Sequence, residues 1–202
     1  MLTDYALAGV AWMLARALRR SRDSRAAASW ALAFAMTGLA ALMGGSVHGF
    51  GPRLPPPLAH ALHAATVMSV GVVSAGLLAG AVFAAVRPGR VQRILLALCG
   101  LKLAVYLTWV ALHPDFQYAR YDAVPAGLLV LGFLARWWSR DRSRAAAFGI
   151  LGLLVSIAGA TLQHARLGIH PLWLSHNDLY HAIQAGALWL LHVAGRELRD
   201  AR

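Results

Sequence analysis

The sequence predicts an all-α fold: a polytopic membrane bundle of seven transmembrane helices, N-terminus outside and C-terminus cytoplasmic. Three observations predict it. Of 202 residues, 59% are hydrophobic and only 13% charged, with a mean hydropathy of +0.57, beyond the range of a soluble globular domain. Apolar runs long enough to cross a bilayer recur along the whole chain. Arginines gather in alternate loops, the pattern that sets membrane topology.

The spans lie near residues 4–20, 28–48, 58–86, 92–112, 119–138, 145–165 and 175–195, in a single domain over 1–202. The first is short and interrupted by Arg16. The second runs to the small-residue stretch "GGSVHGFG" around His48, and "GPRLPPP" (51–57) then forbids a continuous helix. The third is long enough to tilt or to begin outside the hydrocarbon. "RPGR" (87–90) separates it from the fourth, which "HPD" (113–115) ends. An arginine-rich turn parts the fifth from the sixth. The seventh opens on Ser175 and Asp178 at capping-box spacing, so its helix starts there with Asp178 at the positive dipole end.

Orientation follows from counting basic residues. The first loop holds Arg16, Arg19, Arg20, Arg22 and Arg25, and the third Arg87, Arg90 and Arg93. The fifth holds Arg136, Arg140, Arg142 and Arg144, and the C-terminus Arg196, Arg199 and Arg202. Only Arg53, Arg120 and Arg166 fall in the alternate loops, which places those loops and the N-terminus outside. The formal charge of +11 is explained by these flanks. With no aromatic interleaving, it excludes a nucleic-acid partner. Cys99 stands alone in an apolar run, so there is no disulfide framework. No cleavable signal peptide is expected, because arginines follow the apolar residues 5–18. The expected location is a bacterial inner (cytoplasmic) membrane.

Polar chemistry gathers at one face. Of nine histidines, only His192 belongs to the inner side. His48 ends the second span, and His60 and His63 begin the third. His113 and His164 end the fourth and sixth, and His170, His176 and His181 surround the start of the seventh. Asp122 and Asp178 fall in the outer first turns of spans five and seven. On span seven, Asp178, His181, Gln184 and Leu188 follow one stripe; His176 and His181, five apart, fit one face poorly. On span four, Cys99, Lys102, Tyr106, Trp109 and His113 form a polar and aromatic stripe expected to face the bundle or a cavity. Lys102 is near mid-span, where a bare ammonium costs about 2.5–3.5 kcal/mol on insertion scales. No acidic residue is expected at its depth.

Histidines and carboxylates at one membrane face suit a catalytic zinc, held by three protein ligands with a fourth position open. Such an ion activates water and polarises a carbonyl. His48, His60 or His63, His176 and His181 supply candidate ligands from three spans. Asp178 or Asp122 is placed to orient a ligand histidine or act as general base. Ser46, two residues before His48, is a candidate donor to the bound water.

Seven spans, a histidine ending the second and a histidine-rich start to the seventh resemble the CREST superfamily of alkaline ceramidases, progestin and adipoQ receptors and bacterial relatives. The resemblance implies a zinc held by a serine and a histidine on the second span, an aspartate soon after, and an H-x3-H pair on the seventh. It also implies hydrolysis of a lipid amide. His48 matches the second-span histidine and His181 the second of the last pair. The departures are H-x4-H in place of H-x3-H, Gly44 where the family has serine, and His60 where it has its aspartate. "HNDLYH" itself looks like the signature of an uncharacterised group of bacterial integral membrane proteins.

The expected function is therefore a zinc-dependent membrane hydrolase acting on a lipid amide or ester at the outer face. A transporter or proton relay is the alternative, motivated by Lys102, Asp122 and the span-four stripe; a sensor of periplasmic pH is another. A haem cytochrome with His48 opposite His181 is the third.

Overall fold

The computed structural model of the chain describes residues 2–21, 23–170 and 175–201. Arg22 and Arg202, counted above among the basic flanks, lie outside the described residues. Seven α-helices account for nearly all the rest, and no strand is present among the described residues. They are α1 (Leu2–Ser21), α2 (Arg25–Phe50), α3 (Pro56–Ala85), α4 (Arg90–Leu112), α5 (Phe116–Asp141), α6 (Arg144–His164) and α7 (His176–Gly195). Among the described residues, four stretches are long and apolar enough to cross a membrane: α2 with the 3₁₀ turn that follows it (Arg25–Arg53), α3, α4 and α6.

Local chemistry sets the ends. Ser24 caps α2 by accepting the Ala27 N–H at 3.1 Å, and Asp115 caps α5 by accepting that of Gln117 at 2.8 Å. Ser175 and Asp178 form the reciprocal capping box expected for α7. The 3₁₀ turn Gly51–Arg53, with Pro52 in it, carries the chain out of α2 before Pro56 opens α3.

Six helices close a ring in which α1 packs on α2, α2 on α3, α3 on α5, α5 on α6, α6 on α7 and α7 on α1. The main core lies where α1, α2 and α7 meet, around fully buried Trp30, Phe34 and Leu18. The Trp30 indole N–H is satisfied by the Leu77 carbonyl of α3 at 3.1 Å. Helix α4 stands outside the ring against α3. Its Val91, Ile94, Leu98, Leu101, Val105 and Leu112 form an exposed stripe at helical spacing, the composition of a lipid-facing surface.

Candidate functional site

The first turn of α1 enters the bundle between the C-terminal end of α2 and the N-terminal end of α7. Asp4, only 2% exposed, sits there because α2 offers no side chain opposite it. A Cβ on Gly45 would lie 2.5 Å from that of Asp4. One turn on, His48 places Nδ1 3.4 Å from Asp4 Oδ1. From α7, His181 places Nε2 3.5 Å from the same oxygen. Two imidazoles from two helices thus bracket one carboxylate oxygen. His181 is buried and His48 about half exposed.

The other nitrogen of His181 is also held. Its Nδ1 lies 3.3 Å from Thr3 Oγ1, and that hydroxyl donates to Asp178 Oδ1 at 2.6 Å. Asp178 in turn accepts from the Ser175 hydroxyl at 2.6 Å and the Ser175 N–H at 3.2 Å. Because the single Thr3 proton goes to a carboxylate, Thr3 Oγ1 accepts from His181 Nδ1–H. In a neutral imidazole this leaves the Nε2 lone pair facing the carboxylate of Asp4. A proton or a metal cation between two such acceptors satisfies both.

The other expected site residues are distributed differently. Ser46 donates to the Leu42 carbonyl at 2.8 Å and meets the Tyr5 hydroxyl at 3.2 Å, so it is engaged with its own helix and α1. His60 is exposed and His63 and His176 half-buried, and none has a polar partner among the described residues. Beside His176, Asn177 accepts from Gln163 of α6 at 3.0 Å. No three or more His, Cys, Asp or Glu residues form a closed metal-binding group among the described residues. The donor set around Asp4 has the right chemistry for zinc, with both imidazoles directed at one carboxylate oxygen.

Asp122 belongs to a second cluster, and with it the expectation that Lys102 has no acidic neighbour is corrected. Lys102 Nζ lies 2.7 Å from Asp122 Oδ1 and donates to Ser74 Oγ at 2.7 Å, and Ser74 donates to Asp122 Oδ2. The depths match because α5 begins at Phe116, which sets Asp122 about 9 Å along the helix. One turn on, the Tyr106 ring of α4 fills the space a side chain at Gly71 of α3 would take, and its hydroxyl donates to the Val67 carbonyl at 2.8 Å. Of the span-four stripe, Lys102 and Tyr106 therefore face α3. Trp109 and His113 are exposed and stack on each other, with centroids 4.4 Å apart.

Asp4 was absent from the sequence-based set. An acid in the first turn of an apolar helix, at the end where the histidines gather, was its only local signal; the approach of α1 to Gly45 is tertiary.

Residues 1–200 match one family model, described as a family of unknown function (DUF6962). The chain belongs to that family. No curated protein and no solved structure matches it.

Proposed function

We propose that the chain is a seven-span membrane protein, N-terminus outside, and a zinc-dependent hydrolase of a lipid amide or ester. Its site is Asp4, His48 and His181 at the outer end of the bundle. The observation that carries this reading is the pair of separations at Asp4 Oδ1, 3.4 Å to His48 Nδ1 and 3.5 Å to His181 Nε2. Both are long for a charge-assisted hydrogen bond of about 2.7–2.9 Å. Ligands on a tetrahedral zinc, each about 2.0–2.1 Å from it, stand about 3.3–3.4 Å apart.

Asp4 Oδ1, His48 Nδ1 and His181 Nε2 would hold the ion. When bound, zinc supplies water activation at neutral pH and polarisation of a carbonyl. Thr3 and Asp178 fix His181 in the Nδ1–H tautomer, which leaves Nε2 free to ligate. Half-exposed His48 closes the set from the accessible side, where a lipid carbonyl approaches. The CREST resemblance supports the amide or ester as the bond attacked.

A second reading places a proton between His181 and Asp4, and is favoured by the lack of a closed three-ligand group among the described residues. The cluster would then sense pH or relay protons.

Elemental analysis of untagged protein in mild detergent separates the two. Near-stoichiometric zinc, lost in both Asp4→Ala and His181→Ala, supports the hydrolase; screening lipid amides and esters with the loaded protein then identifies the bond. Absence of metal in folded wild type purified without chelators overturns it in favour of the proton.

A further inference from the structure

A groove of about 490 Å³ opens sideways between α4 and α5, away from the Asp4 cluster, with Lys102 and Asp122 at its base. α4 packs on α3 rather than closing against α5, so the groove faces the surroundings of the helices rather than the ring interior. Its apolar wall is Leu98, Leu101 and Val105, all exposed. Its other lining is aromatic. Tyr118 meets Trp109 edge-on at 5.7 Å and Tyr121 at 6.3 Å, and Tyr121 is 68% exposed.

A buried ion pair is often replaceable by apolar side chains without loss of stability, so packing alone does not account for the pair at the base. It is also incompletely satisfied. Of three N–H bonds on the Lys102 ammonium, one reaches Asp122 Oδ1 and one Ser74 Oγ, each at 2.7 Å. The third has no protein acceptor among the described residues, and the Lys102 side chain is 30% exposed.

These features restrict the occupant. With α4 and α5 both crossing the membrane, as proposed above, it arrives through hydrocarbon and is therefore membrane-soluble. It is uncharged, because Lys102 and Asp122 already neutralise each other and either sign of charge would meet a like charge. It offers an acceptor oxygen to the spare N–H. It presents that oxygen where the Lys102 ammonium meets Asp122, about 9 Å along α5. The aromatic lining suits a flat ring, and the volume lies within the range of small-molecule sites.

We propose that this groove binds a membrane quinone, its ring against Trp109, Tyr118 and Tyr121 and a carbonyl oxygen accepting from Lys102.

The test titrates a decyl-tailed benzoquinone into the full chain in lipid nanodiscs and follows tryptophan fluorescence. The expected result is saturable quenching in addition to the linear background of partitioning. The saturable part disappears in Trp109→Phe. Affinity falls about tenfold or more in the charge-free double variant Lys102→Met/Asp122→Asn, and several-fold in Tyr121→Ala. Tyr121 is exposed, so its variant keeps the fold and remains decisive if the double variant does not fold. Dodecanol, which offers an oxygen without a ring, is expected not to compete. Linear quenching alone in the wild type, unchanged affinity in Tyr121→Ala, or equal competition by dodecanol would each overturn the proposal.

Discussion

Asp4 is positioned by what α2 lacks. Gly45 leaves the space that the carboxylate occupies, and its neighbour Gly44 does not. A Cβ at Gly44 would meet the Thr66 side chain, no nearer than an ordinary 3.5 Å. Gly45→Ala is therefore expected to displace Asp4 and abolish zinc content as completely as Asp4→Ala, while Gly44→Ala keeps it. Equal zinc in both glycine variants would remove Asp4 from the site. Thr3 makes a second prediction. Thr3→Val keeps the shape but breaks the link from Asp178 to His181, and is expected to weaken zinc binding about 10–100-fold, the usual effect of losing a group that orients a ligand histidine. Competition with a metal-binding dye measures it; unchanged affinity would show that Thr3 does not set the tautomer. At this scale the sequence was only partly legible. It named His48, His181 and Asp178, which the structure brings around Asp4 and Thr3, because polar residues are conspicuous at the ends of apolar helices. It passed over Asp4 and could not foresee that Asp122 pairs with Lys102 or that His60 and His63 stand apart from this cluster, because nothing local tells which helix ends will touch.

The helices were far more legible. Each span read from run length and from Pro, Gly and Arg punctuation is a helix in the structure, with ends shifted by three residues or fewer. Those small shifts still carried information. Starting α5 at its Asp115 cap instead of residue 119 is what brings Asp122 level with Lys102. The other end of the bundle holds a feature that no helix pattern announces: the residues after α7 fold back onto the start of α2. Asp200 accepts the Ala26 N–H at 2.9 Å and the Arg25 Nε–H at 3.0 Å, Ser24 donates to the Leu198 carbonyl at 3.1 Å, and the Ala201 N–H reaches the Phe83 carbonyl at 2.8 Å. Burial alone would raise the Asp200 pKa, but the Ala26 and Arg25 donors outweigh it and hold the carboxyl below the ordinary carboxylate value. A lowered folded-state pKa means that this stabilisation is fully present above the ordinary value. It is lost as pH falls through the folded one. Asp200→Asn is expected to cost about 1 kcal/mol at neutral pH, as for loss of a helix N-cap, and to flatten the acid limb of a thermal-melting profile in detergent. An acid limb identical to wild type would show that the tail does not titrate with folding.

For the whole molecule, the Asp4 cluster and the Arg25–Asp200 contacts lie at opposite ends of the helices. Asp4, His48 and His181 occupy the end formed by the starts of α1 and α7 and the close of α2. Arg25 and Asp200 occupy the end formed by the start of α2 and the residues after α7. The described arginines of the first, third and fifth loops and of the C-terminus belong to that second end, the end that the positive-inside rule would assign to the cytoplasm in a spanning bundle. If all seven helices cross, the Gly51–Arg53 turn faces outward and the α5–α6 turn inward. A Cys99→Ser background with a single cysteine at Arg53 or at Arg140, both exposed, tests this in spheroplasts with a membrane-impermeant maleimide. The cysteine at Arg53 is expected to label in intact spheroplasts, and the one at Arg140 only after lysis. Labelling of both before lysis would place the two turns on one face, which no alternating bundle allows. The reverse pattern would invert the molecule and put the Asp4 cluster at the cytoplasmic surface, where a hydrolase would meet inner-leaflet lipids instead.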